Sequence, residues 1–166
     1  LFGLVGPDGA GKTTILRLIS AILEPTSGTA KVAGLDIIRE SEKIKQRIGY
    51  MPQKFGLYED LTVEENLDFF SDIFEIPREE RRGKIKELME FSQLYPFRKY
   101  LAGNLSGGMK QKLGLSCVLI HSPEILLLDE PTTGVDPTSR RDFWKILLEQ
   151  LKKGVTIFIS TPYMDE

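Results

Sequence analysis

The sequence predicts an α/β fold: a mostly parallel sheet covered by helices on both faces, with a helical subdomain inserted into it. Three observations carry this. Short apolar runs alternate with stretches whose apolar residues recur at helical spacing. Residues 125–128 are apolar at every position, the pattern of a strand buried on both faces. From Thr62 to Gln93 the patterning is helical, with no strand signal. The chain has 166 residues, within the range of one domain. Its 41% hydrophobic and 28% charged residues exclude a disordered polyelectrolyte. A net charge of −2 gives no polycationic footprint, so no nucleic-acid partner is expected. One cysteine, Cys117, excludes an internal disulfide and suits a reducing compartment. No apolar run approaches the ~18 residues that span a bilayer. The sequence opens at Leu1 inside an apolar stretch, with no initiator Met and no signal-peptide pattern, and stops at Glu166 without a closing element. It reads as a piece of a longer protein.

Taken in order, residues 1–6 form an apolar run before a Gly-rich turn, which predicts a buried strand. Ile15, Leu16, Leu18, Ile19, Ile22 and Leu23 predict a helix over 12–23, closed by a turn at 24–28. A strand over 29–33, a charged helix over 40–47 and a strand over 48–51 follow. Thr62 with Glu65 three residues on forms a capping box. The helix it starts presents Leu67, Phe69, Phe70, Ile73 and Phe74 as its apolar face. Pro77 opens a second helix with Ile85, Leu88, Met89 and Phe91 inward, and the mixed charges over 78–86 read as a solvated face. A helix over 106–120 and a buried strand over 124–129 come next. Asp136 then caps a helix with Pro137 at its first position, which Lys152-Lys153-Gly154 ends. Residues 155–160 are the last strand. Cys117, Phe143 and Trp144 read as packing residues. The whole of 1–166 reads as one domain, with its core at 1–53 and about 105–166 and a helical subdomain at about 60–104.

Three motifs carry chemistry. Gly6-Pro7-Asp8-Gly9-Ala10-Gly11-Lys12-Thr13 fits G-x-x-x-x-G-K-[ST] between a predicted strand and helix. Glycines let backbone N–H groups turn inward as an anion nest, and the helix start adds its positive end. Lys12 supplies a point charge for β/γ-phosphates and the Thr13 hydroxyl a ligand for Mg²⁺. The second motif is Asp129-Glu130 at the carboxyl end of a buried strand, where α/β sheets bind ligands. Asp129 suits a Mg²⁺ ligand, and Glu130 can orient and deprotonate water. The third is Leu105-Ser106-Gly107-Gly108-Met109-Lys110-Gln111, a serine and two glycines at a helix start. A plain N-cap needs no glycine pair, and one triphosphate has no use for two helix-end sites. The second site is therefore expected to serve nucleotide held by another copy. No Asp or Glu occurs from Phe91 through Pro123, while Arg98, Lys99, Lys110 and Lys112 do, which predicts a locally cationic face.

Together these residues resemble the nucleotide-binding domain of ATP-binding cassette (ABC) transporters, over nearly the whole chain and in the family's order. Gly6 to Thr13 corresponds to the Walker A loop and Gln53, in Tyr50-Met51-Pro52-Gln53, to the Q-loop glutamine. Residues 105–111 correspond to the LSGGQ-type element, with Met109 and Lys110 before the glutamine. Residues 125–131 correspond to Walker B with its catalytic glutamate, and Gly134-Val135-Asp136-Pro137 to the D-loop. The resemblance implies a P-loop NTPase core that binds ATP and Mg²⁺. ATP would be held by Gly6, Asp8, Gly9, Ala10, Gly11, Lys12, Thr13 and Thr14, and by Ser106, Gly107, Gly108 and Gln111 of a facing second cassette. Mg²⁺ would be held by Thr13, Gln53 and Asp129, and Glu130, Lys12 and Gln53 would carry catalysis. The anionic Asp8 side chain is expected to point away from phosphate. Residues 54–67 and the helical block would meet an integral membrane subunit or domain, placing the chain on the cytoplasmic face of a membrane. Residues 62–67 and 134–141 look most like export ATPases of the daunorubicin-resistance type.

One departure stands out. The family's switch histidine falls at Pro162, which has neither a side-chain donor nor a backbone N–H, and His121 lies too early to replace it. A slow or non-hydrolysing site is the expectation. A soluble ABC ATPase acting on ribosomes or DNA, and a non-hydrolysing regulatory module, are the rival readings. The interval from Lys12 to Leu105 has no heptad run, against the coiled-coil insertions of the DNA-acting relatives.

Overall fold

The computed structural model describes residues 1–162; the expected context Tyr163-Met164-Asp165-Glu166 lies outside the described residues. The elements are β1 (Phe2–Val5), α1 (Lys12–Ile19), β2 (Lys31–Val32), β3 (Leu35–Asp36), α2 (Ser41–Arg47), β4 (Ile48–Met51), α3 (Val63–Ile73), α4 (Arg78–Phe91), α5 (Gly107–Leu119), β5 (Ile125–Asp129), α6 (Pro137–Lys152) and β6 (Thr156–Thr161). Short 3₁₀ turns cover Tyr95–Phe97 and Ala102–Asn104. The chain forms two compact units, one of residues 1–53, 123–131 and 151 onward, the other of residues 54–122 and 132–150.

The first unit holds a four-stranded parallel sheet in the order β1-β6-β5-β4. β5 runs between two neighbours, and its all-apolar stretch Leu126-Leu127-Leu128 is fully buried, as a parallel strand requires. The register places Asp129 beside Ser160, Met51 beside Leu128 and Val5 beside Thr161. The carboxyl ends of all four strands therefore lie along one side. Leu16, Ile37, Ile44, Ile48 and Leu127 form the core that α1 and α2 pack on the sheet.

Three expectations for this unit are corrected. β1 is not buried: Phe2 is 60% exposed, because β1 is an edge strand with one neighbour among the described strands. α1 stops at Ile19 rather than at Leu23. Ala21 turns left-handed (φ 56°), Ile22 N–H bonds the Arg17 carbonyl and Ala21 N–H that of Leu18. This is a Schellman ending that apolar periodicity does not reveal, and it leaves Ile22 and Leu23 exposed. The strand expected over 29–33 forms only at Lys31–Val32, as one arm of a two-stranded hairpin with β3. Its turn, Ala33-Gly34, has both residues at positive φ (50° and 79°), the type I′ geometry that matches strand twist.

The second unit packs α3, α4 and α5 around Val63, Leu67, Ile85, Met89, Leu94, Leu113, Cys117 and Ile120. Cys117 is core, and burial pushes its thiol pKa well above the usual value. Phe143 is buried and Trp144 half-buried. Ile73, expected on the apolar face of α3, is instead exposed. The inward stripe runs Val63, Leu67, Phe70, Phe74, at steps of four, three and four, and residue 73 falls off it. Arg81 departs from the solvated charge face: its Nε donates to the Ile76 carbonyl at 2.7 Å and its guanidinium pairs with Asp72.

Asn66, which the sequence does not flag, is fully buried and binds the preceding loop. Its Nδ2, with two protons, lies within hydrogen-bond distance of the carbonyls of Tyr58 (3.0 Å), Leu61 (3.2 Å) and Thr62 (2.9 Å), and its Oδ1 accepts from Tyr58 N–H at 2.9 Å. The capping box forms as expected: Glu65 N–H donates to Thr62 Oγ1 at 3.2 Å and Thr62 N–H to Glu65 Oε2 at 2.8 Å. Thr62→Ala is expected to cost about 1 kcal/mol in urea unfolding, since it orphans an N-terminal amide of α3.

Candidate active site

The loop before α1 begins where β1 ends. Gly11 is the N-cap of α1 at φ 90°, and no side chain caps the helix. A residue with a Cβ is strained at that φ. The first turn of α1 carries no acidic residue. Its uncapped amides and positive dipole end make an anion site. Lys12 is only 5% exposed, and its Nζ donates to the carbonyls of Gly6 (2.7 Å) and Pro7 (3.0 Å). Asp8, Gly9, Ala10 and Thr14 are exposed along the loop and helix start, and Thr13 is half-buried.

Glu130 follows β5 at φ 49°, a left-handed backbone rare for a residue of its size. Its carboxylate is nearly buried and holds two partners: Oε1 lies 3.2 Å from Lys12 Nζ, and Oε2 accepts from Gln53 Nε2 at 3.0 Å. Three residues singled out from the sequence, on the P-loop, after β4 and after β5, thus meet through one carboxylate. A buried ammonium is expensive unless it is paired and hydrogen-bonded. Lys12 is both, and Glu130 supplies the negative charge.

Asp129, at the end of β5, is 1% exposed, and its Oδ1 accepts from Ser160 Oγ at 2.6 Å. Tyr50 on β4 also approaches it. Burial raises the Tyr50 phenol pKa; the nearby Arg17 guanidinium opposes this rise, while the Asp129 charge adds to it. Ser160 and Tyr50 were not singled out from the sequence; the signal for Ser160 was a polar residue at the carboxyl end of an apolar strand. The donors named for a cation are all oxygens: the Thr13 hydroxyl, the Asp129 carboxylate and the Gln53 carboxamide. The Gln53 amide nitrogen faces Glu130, which leaves the oxygen as the end for a metal. Among the described residues no cluster of three or more His, Cys, Asp or Glu could hold a metal by itself. Such a set suits Mg²⁺, which takes one or two carboxylates and completes its shell with phosphate and water.

In the second unit, Ser106 is the N-cap of α5, its Oγ accepting from Met109 N–H at 3.3 Å. Ser106 and Gly107 are exposed, Gln111 is half-buried and Gly108 is buried. A Cβ on Gly108 would run into the Ser139 side chain at the start of α6, whereas one on Gly107 would meet nothing within 4 Å. Packing thus accounts for the second glycine and not for the first. Asp136 caps α6, accepting from Thr138 N–H (3.1 Å) and Ser139 N–H (3.0 Å). Its carboxyl is held below the usual range by the Ser139 hydroxyl first and the Ser139 amide second. The cationic face expected between Phe91 and Pro123 is corrected. Lys110 pairs with Glu59 at 2.8 Å and Lys99 with Glu64 at 2.9 Å, carboxylates from another part of the sequence. Arg98 lies over the Tyr95 ring, and Lys112 is buried.

Residues 1–133 match the family model described as "ABC transporter". The chain is 54% identical over 164 residues to the Escherichia coli K12 protein named "Probable multidrug ABC transporter ATP-binding protein YbhF", covering 99% of this chain and 28% of that protein. It is 41% identical over 165 residues to "Nod factor export ATP-binding protein I" of Burkholderia orbicola, covering 99% of this chain and 54% of that protein. The chain therefore spans about a quarter to a half of these curated relatives. Among solved structures, cbiO1 from Clostridium perfringens, described as part of the ABC transporter complex cbiONQ, superposes with a TM-score of 0.87 at 28% identity. That match covers 99% of this chain and 67% of the other. The cassette MJ0796, solved as a dimer and in a post-hydrolysis state with ADP and Pi, gives 0.86 at 25% identity, over 99% and 75% of the two chains.

The two glycines of α5 are separable by stability. Gly108→Ala is expected to lose about 1–3 kcal/mol in urea unfolding through overpacking against Ser139. Gly107→Ala should stay within about 0.5 kcal/mol of the parent in the same measurement.

Proposed function

The chain belongs to the ABC transporter family, and from that premise we propose that it binds ATP on the Lys12 loop and hydrolyses it with Glu130 to drive export through a membrane component. The observation that carries this is the Lys12–Glu130–Gln53 junction, where the phosphate-binding cation and the candidate base share one carboxylate. An arriving terminal phosphate offers Lys12 a more highly charged partner and displaces Glu130. Glu130 is then released, near the terminal phosphate, to orient water and accept its proton. Gln53, freed in the same step, follows the terminal phosphate. When bound, Mg²⁺ would be held by Thr13, Gln53 and Asp129 and would offset the negative charge of the phosphates.

Ser106, Gly107, Gly108 and Gln111 are proposed to grip nucleotide on a second cassette. The exposed start of α5 and the dimeric state of the similar MJ0796 cassette support this. Residues 54–67 and α3 are proposed to meet an integral membrane subunit or domain, placing the chain at the cytoplasmic face. The names of the export relatives support a membrane component. Glu130→Gln keeps the shape of the site and removes the base. Turnover is expected to fall at least about 100-fold while ATP binding persists; turnover within a few-fold of the parent overturns the reading.

A second reading, that this site turns over slowly, is favoured by Pro162. It directly follows β6, whose Thr161 carbonyl accepts from Gly6 N–H at 3.4 Å at the start of the phosphate loop. A donor at 162 would stand one residue beyond the Thr161 contact with that loop, and proline offers none. Pro162→His is expected to raise single-turnover ATP hydrolysis about tenfold or more, the scale of one general acid–base or phosphate contact. An unchanged rate argues for Glu130 sufficing alone.

A further inference from the structure

We propose that Ser160 is a positioning residue for the ATPase reaction, setting both Asp129 and Glu130 through a single hydroxyl; the proposal rests on the ATPase reading above. Ser160 lies in β6 with Leu4 beside it on one strand and Asp129 on the other, and it is fully buried. Its Oγ donates to Asp129 Oδ1 at 2.6 Å, a short charge-assisted bond. The same oxygen accepts Glu130 N–H at 3.1 Å, and that N–H also lies 3.1 Å from the Ser160 carbonyl oxygen. A hydroxyl has one proton and two lone pairs. Here the proton goes to the metal-ligand candidate and a lone pair to the amide of the candidate base.

Each contact fixes something the chemistry needs. The bond to Oδ1 sets the rotation of the Asp129 carboxylate, and so the direction of its other oxygen. The contact with Glu130 N–H sits at the left-handed step (φ 49°) that carries the Glu130 carboxylate to Lys12 and Gln53. A serine kept only for packing could return its proton to a carbonyl of its own strand; this one bonds the two acidic residues of the site. Removing the hydroxyl leaves Asp129 free to rotate and loosens Glu130, while the Lys12 bonds to the Gly6 and Pro7 carbonyls stay in place.

The test is made in the full-length protein. Binding of a fluorescent ATP analogue is titrated with Mg²⁺ and in EDTA, and steady-state turnover is measured beside it. Ser160→Ala is expected to weaken apparent Mg²⁺ affinity and lower kcat by about tenfold or more, the range seen when a metal ligand loses its supporting hydrogen bond. Affinity in EDTA, which reports the Lys12 loop, should stay within about twofold of the parent. In an Asp129→Asn background, Ser160→Ala should add no further loss of Mg²⁺ affinity, since the two act as one unit. Parental Mg²⁺ affinity and kcat in Ser160→Ala overturn the proposal, as does full additivity with Asp129→Asn. Should Ser160→Ala not fold, Ser160→Cys, of similar size and a weaker donor, is read by the same two outcomes. A parent protein that binds no ATP at all overturns the ATPase reading itself, and the proposal with it.

Discussion

A lysine ammonium held almost out of water is the constraint on which the first unit depends. Taking such a charge from water costs several kcal/mol unless anions and carbonyls surround it. Lys12 has two carbonyls from its own loop and one carboxylate from after β5. The loop carbonyls reach it because the chain before α1 turns through glycines at positive φ. The carboxylate reaches it because β5 ends beside β6 in one register and the chain then turns left-handed at Glu130. A slip of one residue between β5 and β6 would point Asp129 to the other face of the sheet and break the junction. The apolar patterning of the strands therefore fixes the chemistry as well as the core.

The same junction shows how a site can be stable when empty and still bind a triphosphate. Glu130 occupies the cation that a phosphate needs, so in the free state Lys12 is not left as an unpaired buried charge. A ligand must offer Lys12 at least as much negative charge as it displaces. Adenosine cannot do this; a terminal phosphate can. On the proposed reading, the exchange that admits the nucleotide is also the one that frees the base. Ground-state neutrality and readiness for hydrolysis come from one carboxylate.

Much of this could be read from the sequence, for physical reasons that differ by element. The phosphate loop, the β5 carboxylates and the Thr62 capping box are local patterns in which spacing alone dictates geometry. The end of α1 was misread because a Schellman turn at Ala21 leaves no mark on apolar periodicity. The cationic stretch is neutralised by Glu64 and Glu59, which precede Lys99 and Lys110 by 35 and 51 residues, beyond the reach of any local pattern. The glycine pair reads from the sequence as part of an anion site, whereas Ser139, packed against Gly108, demands a residue without a Cβ there. Pairings of this kind arise only when distant segments pack, and a one-dimensional pattern does not contain them.

Ser160 shows what lies between these cases. A polar residue at the end of a strand buried on both sides must be hydrogen-bonded, and this much follows from the sequence alone. What the sequence withholds is the register, which decides whether the partner is a neighbouring carbonyl or a carboxylate of the site. In a parallel sheet the carboxyl ends of adjacent strands come level, so a residue there meets the last residues of its neighbours. Asp129 and Glu130 are the last residue of β5 and the first beyond it, and β6 is the strand between β1, which leads into the phosphate loop, and β5. A side chain in that middle strand can reach the acidic pair without entering the space left for phosphate. Support from behind is therefore the role this topology gives to a small buried hydroxyl, and serine is small enough to fill it without displacing the strands.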